Sequence, residues 1–281
     1  MYSVSLLILS CFFFAVLAAL IKFLSQQIHP FEQAFFRNFI GVLIILPFIL
    51  KYKITISKKE NLKLLLLRGV FGGLTMILLF WSYSLIPLSQ AMAISFTTPL
   101  FMYLGSLIFF KEKALKINTI AITLGFILTI ILIRPDLEVK FGVLIALIAS
   151  LTHAIAGLLV KQISKTESVL LLMFSMVLIM TPISFFPSLY VWTTPNGLEI
   201  IMLLIMIACI ASIGNFLWTK ALSEEALTSL MPFEFTKLLF ATILGVLFFN
   251  EKLDLITIFS GIGLLFLNHY LAKNIKKNEK T

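Results

Sequence analysis

Charged residues are scarce in this sequence, in which Asp, Glu, Lys and Arg make up 12% of 281 residues. A soluble domain carries about 25%. Apolar residues make up 60% of the chain, and the mean hydropathy is +1.08. This balance excludes a soluble globular protein, because most of the surface must be solvated by lipid. The composition therefore predicts an all-α membrane protein that crosses the bilayer many times.

Cysteine and histidine are also sparse, and their placement excludes several functions. The two cysteines, Cys11 and Cys209, lie in separate apolar segments, so no disulfide framework is expected. Neither an HExxH nor a GxSxG motif is present. The three histidines fall in different segments: His29, His153 and His269. We therefore expect no metal site, no cofactor and no membrane-embedded enzyme.

Long apolar runs are what the sequence has in abundance. A helix needs about 20 residues to cross a bilayer. Divided on this basis, the chain gives ten predicted spans: Val4–Leu24, Phe31–Leu50, Leu64–Ile86, Leu88–Phe110, Ile117–Ile133, Phe141–Val160, Ser168–Trp192, Glu199–Leu222, Ala226–Phe249 and Leu253–Ala272. The fold class is thus predicted to be a bundle of ten transmembrane helices.

The basic residues are distributed unevenly between the two ends of these spans. If the N-terminus is cytoplasmic, 16 of the 22 Lys and Arg residues lie on the cytoplasmic side and four on the other, while Arg37 and Lys237 lie within spans. Cytoplasmic loops are enriched in Lys and Arg. The net charge of +9 is therefore a topology signal that implies no nucleic-acid partner. We therefore predict that the protein lies in the cytoplasmic (inner) membrane and that both of its termini are on the cytoplasmic side.

The chain repeats itself at an offset of 139 residues. Phe109–Lys113 (FFKEK) recurs as Phe248–Lys252 (FFNEK), and several single positions match at nearly the same offset. These matches predict two five-helix halves, residues 1–139 and 140–281. Because five is odd, the second half enters the membrane upside down relative to the first. Inverted repeats of this kind are typical of secondary transporters with a binding site at the membrane midplane.

Span nine holds two charges near the middle of the membrane, Glu234 and Lys237. The helical rise places them roughly 12 and 17 Å from the start of the span, in a hydrocarbon core about 30 Å thick. Their i, i+3 spacing lets them pair, and Pro232 just before them predicts a bend. Ionisable side chains at this depth are often functional. The pair could bind substrate, with Glu234 also able to carry a coupling proton, or it could be a structural ion pair.

Other polar and aromatic residues within the spans are further candidates. Arg37, about 9 Å inside span two, could line a cavity or could snorkel to the interface. His153 in span six could be a proton relay or a hydrogen-bonding helix contact. Four residues could line or gate a route, although the tryptophans among them also suit the aromatic belts at the membrane interfaces: Trp81, Tyr83, Asn215 and Trp218.

These features resemble the drug/metabolite transporter superfamily, specifically proteins built from two EamA-type five-helix repeats. The resemblance covers essentially the whole chain, and it rests on the ten spans, the repeated FF-x-E-K motif, Thr98-Pro99 and Pro232–Phe235. It implies a central cavity lined by spans one to four and six to nine, with spans five and ten peripheral. It also implies alternating access without ATP. Glu112 and Glu251, in the repeated motif, are expected to be structural helix-end anchors at opposite membrane faces.

The resemblance implies a secondary transporter of a small metabolite, with substrates that range from amino acids to nucleosides, nucleotide sugars and phosphorylated sugars. The charged residues within the spans favour a small polar substrate, either an amino acid or a related zwitterionic or anionic compound. Arg37 and Lys237 would hold a carboxylate or phosphate, and Glu234 would take an ammonium group or a coupling proton. A lipid-headgroup flippase and a non-transporting membrane scaffold are the alternatives. The expected partners are a small-molecule substrate and the lipid bilayer. A homodimer through spans five and ten is a further expectation.

Overall fold

The computed structural model describes residues 2–86, 94–133 and 141–249, and also residues 259, 262, 263, 266, 267 and 270. All regular secondary structure among these residues is helical. Three predicted features lie outside the described residues: the junction at 139/140, Glu251, and span ten apart from the six single positions.

The described helices follow the predicted spans one to nine. They are α1 (Tyr2–Leu24), α2 (Pro30–Lys51), α3 (Asn61–Leu85), α4 (Thr98–Phe109), α5 (Lys116–Ile133), α6 (Phe141–Ile163), α7 (Val169–Leu189), α8 (Leu198–Glu224), α9 (Leu227–Leu230), a 3₁₀ helix (Met231–Phe235) and α10 (Thr236–Phe249). Within this part of the chain, seven helical stretches are long and apolar enough to cross a membrane, and α4 and α5 are shorter apolar helices. The protein is therefore a multi-pass, all-helical membrane protein.

Caps and prolines set several helix ends. His29 precedes Pro30 at the start of α2, and its Nδ1 accepts a hydrogen bond from the Phe31 N–H at 3.2 Å. Ser168 caps α7 in the same way, accepting from the Leu171 N–H at 3.3 Å. Each cap satisfies an N–H group that has no partner within its own helix. Within span four, α4 begins at Thr98 after a turn, with Pro99 in its first turn, where the missing N–H of proline is tolerated.

The helices pack as long pairs drawn from the two halves of the chain. α3 lies along α6, α1 along α8 and α2 along α7, and further contacts join α3 to α7 and α2 to α8. The largest apolar cluster includes the 3₁₀ helix, which contacts α1, α4 and α5, and Leu7, Met102 and Phe233 are almost completely buried in this cluster. The bundle is thus centred on the segment that carries Glu234.

Two glycines on α3 allow it to approach α7 closely. A Cβ atom at Gly69 would lie 2.6 Å from the Ile179 Cβ, and one at Gly73 would lie 2.8 Å from Ile183. The Gly69-x-x-x-Gly73 spacing predicts such an approach, because small residues one turn apart let helix backbones meet in a membrane. Gly72, on the same helix, would meet only the Met180 Sδ at 3.3 Å, the end of a flexible side chain.

We expect Gly69→Ala to lower the free energy of unfolding by about 1–2 kcal/mol, because the clash with Ile179 outweighs the helix propensity gained by alanine. Gly72→Ala makes the same chemical change on the same helix and should be neutral or slightly stabilising. Thermal unfolding in detergent compares the two variants with wild type. Equal midpoints for both variants would contradict the close packing of α3 on α7.

Glu112, which follows α4, forms hydrogen bonds with the start of α9 in the second half of the chain. Its Oε1 accepts from the Leu227 N–H at 3.1 Å, and its Oε2 accepts from the Thr228 N–H at 2.9 Å. These are the first N–H groups of α9, and the preceding Ala226 provides no capping side chain. A carboxylate at this position also interacts favourably with the helix dipole. Glu112 therefore holds the first turn of α9 in place.

Candidate functional site

Span nine changes helix type at Met231–Phe235, where the sequence places Pro232. Proline has no N–H to donate within a helix, and the chain passes through a 3₁₀ helix before α10 resumes. The rings of Phe233 and Phe235 are buried. Gly125 of α5 makes room for Phe235, because a Cβ there would lie 2.5 Å from that ring. The break thus fixes Glu234 inside the bundle.

Glu234 is held between an indole and an ammonium group. The Trp218 Nε1–H donates to its Oε1 at 2.6 Å, and the Lys237 Nζ lies 3.8 Å from its Oε2. Only 9% of the Glu234 side chain is exposed. The predicted i, i+3 ion pair is therefore present, and Trp218 contributes a hydrogen bond that spacing alone does not predict.

Lys237 keeps part of its side chain accessible. The side chain is 33% exposed, against 9% for its carboxylate partner. Its Nζ also lies 5.5 Å from the centre of the Phe96 ring, in a cation–π position. Phe96 in turn stacks on Phe235 at 6.1 Å. The ammonium group thus has one carboxylate and one aromatic neighbour, and it retains an open side.

Trp218 is immobilised on three sides. Its N–H is donated to Glu234, and its Cη2 lies 3.3 Å from where a Cβ of Gly157 would stand. The His153 ring lies over it with centroids 6.0 Å apart and planes inclined by 27°. The structure therefore brings together Trp218, Glu234, Lys237 and His153, which come from α6, α8 and span nine.

Arg37 lies in a second polar cluster, where α2 meets α3 and α7. Its Nη2 donates to the Asn38 Oδ1 at 3.0 Å and lies 3.5 Å from the Met76 Sδ. The Asn38 Nδ2 donates to the Ser184 Oγ at 3.2 Å. None of the described carboxylates forms an ion pair with Arg37. The guanidinium is thus oriented by neutral groups and carries an uncompensated charge within the described part of the chain.

A small cavity opens beside Arg37. Its other polar lining groups come from Asn38, Ser212 and Asn215, and its apolar lining comes from α2, α7 and α8. Asn215 precedes Trp218 by three residues on α8, so both lie on nearly the same face, about 4.5 Å apart along the axis. The Arg37 cavity and the Glu234 cluster are therefore adjacent along α8.

Two of the candidate aromatic residues lie at the end of α3. Trp81 is 46% exposed and packs edge-on against Phe141 at the start of α6, with ring centroids 5.9 Å apart. That position suits an interfacial belt. Tyr83 lies in the same helix, and its side chain is outside the described residues.

Sequence reasoning missed Asn38 and Phe96. Asn38 is 1% exposed and orients Arg37, and Phe96 lies beside the Lys237 ammonium group. The Arg37-Asn38 dipeptide was a usable signal, because two adjacent polar residues in an apolar span need internal partners. Phe96 gave no signal, because it is one of 28 phenylalanines. Within the described residues, no group of His, Cys, Asp and Glu is placed to hold a metal ion.

Two buried carboxylates tie loops of one half to helices of the other. Glu167, before α7, accepts from the Asn61 Nδ2 at 2.6 Å and from the Ser57 N–H at 3.0 Å. Glu32, in the first turn of α2, accepts from the Thr193 N–H and Oγ1, each at 3.0 Å. These contacts join the α2–α3 loop to the start of α7 and the α7–α8 loop to the start of α2.

The hydrogen bonds to Glu167 make a pH-dependent contribution to stability. Burial raises the pKa of this carboxyl, but hydrogen bonds from the Asn61 side chain and from the Ser57 and Lys58 backbone outweigh burial, so the pKa lies below its ordinary value of 4.5. The stabilisation is therefore fully present above about pH 4.5 and is lost as the pH falls through the lowered pKa.

We accordingly expect wild type to lose thermal stability more steeply than Glu167→Gln as the pH falls below about 4.5. Glutamine cannot lose a charge, and it accepts hydrogen bonds at only one oxygen. Unfolding midpoints measured in detergent across this window test the difference, and parallel curves for the two proteins would contradict it.

Long apolar helices around two internal polar clusters define a multi-pass membrane protein. The sequence matches the EamA-like transporter family over residues 1–134 and 140–271. The chain belongs to this family and is a drug/metabolite-type transporter of small metabolites, not an enzyme.

Named relatives align along almost the whole chain. An S-adenosylmethionine uptake transporter of Rickettsia bellii (strain RML369-C) is 27% identical over 262 residues, or 91% of this chain and 88% of that protein. The pseudopaline exporter CntI of Pseudomonas aeruginosa (strain UCBPP-PA14) is 26% identical over 264 residues, or 92% of each chain. A protein of known crystal structure superposes with a TM-score of 0.82 over 96% of this chain and 98% of that one. Its 14% identity makes this a likeness of fold alone.

Proposed function

We propose that this chain is a secondary transporter that carries an amino acid or a related zwitterionic or anionic metabolite across the cytoplasmic membrane by alternating access. The observation that carries the proposal is the Arg37 guanidinium, which lies beside a cavity inside the bundle with only neutral described partners.

An uncompensated cation inside a membrane protein is costly and is normally paired. The Asn38 amide and the Met76 sulfur orient the Arg37 guanidinium without neutralising it. The cavity measures about 10 Å³ in this conformation, room for about one water molecule, so it has to widen to admit substrate. A carboxylate or phosphate in the widened cavity could complete the pair in the bidentate geometry that arginine favours. Asn215 and Ser212 line the same cavity and supply further polar groups.

The Glu234 cluster supplies the opposite charge on the neighbouring face of α8. Its carboxylate would attract an ammonium group or take a coupling proton once Lys237 moves aside, while the Trp218 N–H keeps the carboxylate in place. Lys237 is the more accessible of the two charges and would reach an anionic group first. Separate positive and negative groups favour a zwitterion over a purely cationic substrate.

The relatives support the same substrate class. S-adenosylmethionine, the substrate of the Rickettsia relative, carries the carboxylate and ammonium groups of an amino acid. The Pseudomonas relative is an exporter, so the direction of transport differs between two proteins of nearly equal similarity to this chain. We therefore propose the substrate class without a direction. The bacterial sources of both relatives support an inner-membrane location.

The helix contacts support the proposed inverted repeat of residues 1–139 and 140–281. An offset of 139 residues relates α1 to α6 and α3 to α8, so the α1–α8 and α3–α6 pairs are counterparts, and both pairs pack extensively. Phe96 stacks on Phe235, its own counterpart (235 − 96 = 139). The family also matches the chain in two segments. On this basis we propose ten spans, both termini in the cytoplasm, and spans five and ten at the periphery, where a homodimer would form.

A thermal-shift screen in detergent tests the proposed function. The panel contains amino acids, S-adenosylmethionine, phosphorylated sugars and soluble lipid headgroups, and it is run on wild type and on Glu234→Gln/Lys237→Ala. A ligand at about 100 times its dissociation constant should stabilise wild type by about 2.7 kcal/mol. We expect a zwitterionic or anionic metabolite to stabilise wild type and to lose this effect in the variant.

Uptake of the stabilising compound into proteoliposomes then tests transport. Stabilisation by lipid headgroups alone would favour the flippase alternative. A well-folded sample that no compound stabilises would favour the scaffold. Either result would contradict the proposed function.

A further inference from the structure

His153 is exposed on the side of α6 that faces away from lipid. The lipid-facing residues Leu144, Ile148 and Leu151 are exposed and recur at the spacing of one helix face. His153 is also exposed, but it lies about 200° around the helix from Leu151. Its neighbours Thr152 and Ala154 are buried. The exposed face of His153 therefore borders a space inside the bundle.

A rigid aromatic platform lies behind this imidazole. The His153 and Trp218 rings are close to parallel, at 27° and 6.0 Å between centroids. The indole cannot turn away, because its N–H is donated to Glu234 and its far edge meets α6 at Gly157. His153 is thus supported by the indole, and the exposed part of the residue borders the internal space.

The same arrangement argues against a proton relay through His153. The described contacts connect His153 to Glu234 only through the Trp218 indole. An indole nitrogen donates a hydrogen bond and cannot accept one. A proton on the imidazole therefore has no route to the Glu234 carboxylate along these contacts, and a stacking role suits the geometry better.

We propose that His153, supported by Trp218, is a specificity-determining platform on which a flat aromatic ring of the substrate stacks. This inference rests on the proposed function and names the substrate class more closely: amino-acid derivatives that also carry an aromatic or heteroaromatic ring. The Arg37 cavity, reached one turn along α8 at Asn215, holds the carboxylate. The aromatic ring of the substrate lies over His153. The accessible Lys237 ammonium group lies in span nine, with the Phe96 ring beside it.

Two ligand pairs test the platform, one that differs only in the aromaticity of its ring and one that differs in the whole adenosyl group. Phenylalanine is compared with cyclohexylalanine, and S-adenosylmethionine with S-methylmethionine, by thermal-shift titration of the full chain. We expect wild type to bind the aromatic member of at least one pair about fivefold more tightly, as an added aromatic stack gives. His153→Phe keeps a ring without a titratable nitrogen and should retain this preference. His153→Leu should lose it, so that the two members of each pair bind this variant with nearly equal affinity.

Two outcomes would overturn the inference. Equal affinity of wild type for both members of each pair would show that no ring is recognised. Loss of the preference in His153→Phe as well as in His153→Leu would show that the imidazole itself is required. A different result would show that the proposed function itself is wrong. In that case none of the four compounds would bind wild type, or Arg37→Gln would leave their binding intact.

Discussion

Replacing Arg37 with glutamine is expected to weaken binding of the zwitterionic or anionic substrate by about 30-fold or more, and to reduce transport correspondingly. Truncating one member of a desolvated, hydrogen-bonded charge pair costs at least about 2 kcal/mol. The bound substrate would supply the partner charge, since the described partners of Arg37 are neutral. Arg37→Lys keeps the charge but not the planar fork of donors, and it should lie between wild type and glutamine.

Protein stability should change little in Arg37→Gln, because the variant removes a desolvated charge that has no described carboxylate partner. Arg68 provides the matched control. It is also a buried arginine of the bundle, but its Nη1 donates to the Leu172 carbonyl at 2.8 Å and so joins α3 to α7. Arg68→Gln should lower the unfolding temperature and leave the affinity per folded molecule nearly unchanged.

Binding by thermal-shift titration and uptake into proteoliposomes separate these two arginines. Normal uptake by a folded Arg37→Gln sample would contradict the anion-binding role and would favour the alternative in which Arg37 only snorkels towards the interface.

Local sequence patterns predicted those parts of the fold that depend on local physics. The apolar runs predicted the helices, and Pro232 predicted the disturbance of span nine, because a missing N–H acts within its own turn. The contact between Glu234 and Lys237 followed from their spacing, since residues three apart lie on one helix face. Gly69 and Gly73 likewise indicated a close helix approach, although the spacing could not identify α7 as the partner.

Contacts between distant parts of the chain could not be predicted in this way. Trp218 was a candidate for a gate or a belt, and the structure makes it the hydrogen-bond donor to Glu234. His153 stacks on Trp218, 65 positions further along the chain (218 − 153 = 65). Such contacts depend on how whole helices pack, and periodicity within one helix carries no information about its neighbour.

Replacing Glu234 with glutamine is expected to abolish transport and leave the fold largely intact. The glutamine oxygen can still accept from the Trp218 N–H, so the hydrogen bond at 2.6 Å has a replacement. The charge opposite Lys237 is lost, however, and we expect a destabilisation of about 1–3 kcal/mol. Because that ammonium group is 33% exposed, the cost should lie towards the lower end.

The double variant Glu234→Gln/Lys237→Met separates a substrate site from a structural lock. Removing both charges leaves no unpaired ion inside the bundle, and replacing a buried ion pair by neutral groups is often harmless to stability. We therefore expect the double variant to unfold at a temperature close to wild type and still fail to transport. Recovery of stability without recovery of transport would mean that the charges act on the substrate or the coupling proton.

The Lys220–Glu224 pair is the matched control. Its nitrogen and oxygen are also 3.8 Å apart, and its lysine has the same 33% exposure, but its carboxylate is 37% exposed, against 9% for Glu234. An exposed pair of this kind contributes about 0–1 kcal/mol, so Lys220→Met/Glu224→Gln should fold and transport like wild type. Wild-type uptake by Glu234→Gln/Lys237→Met, measured beside this control, would show that the pair only locks the helices. The two charges would then serve only to hold the helices together, and the group that carries a coupling proton would have to be another residue.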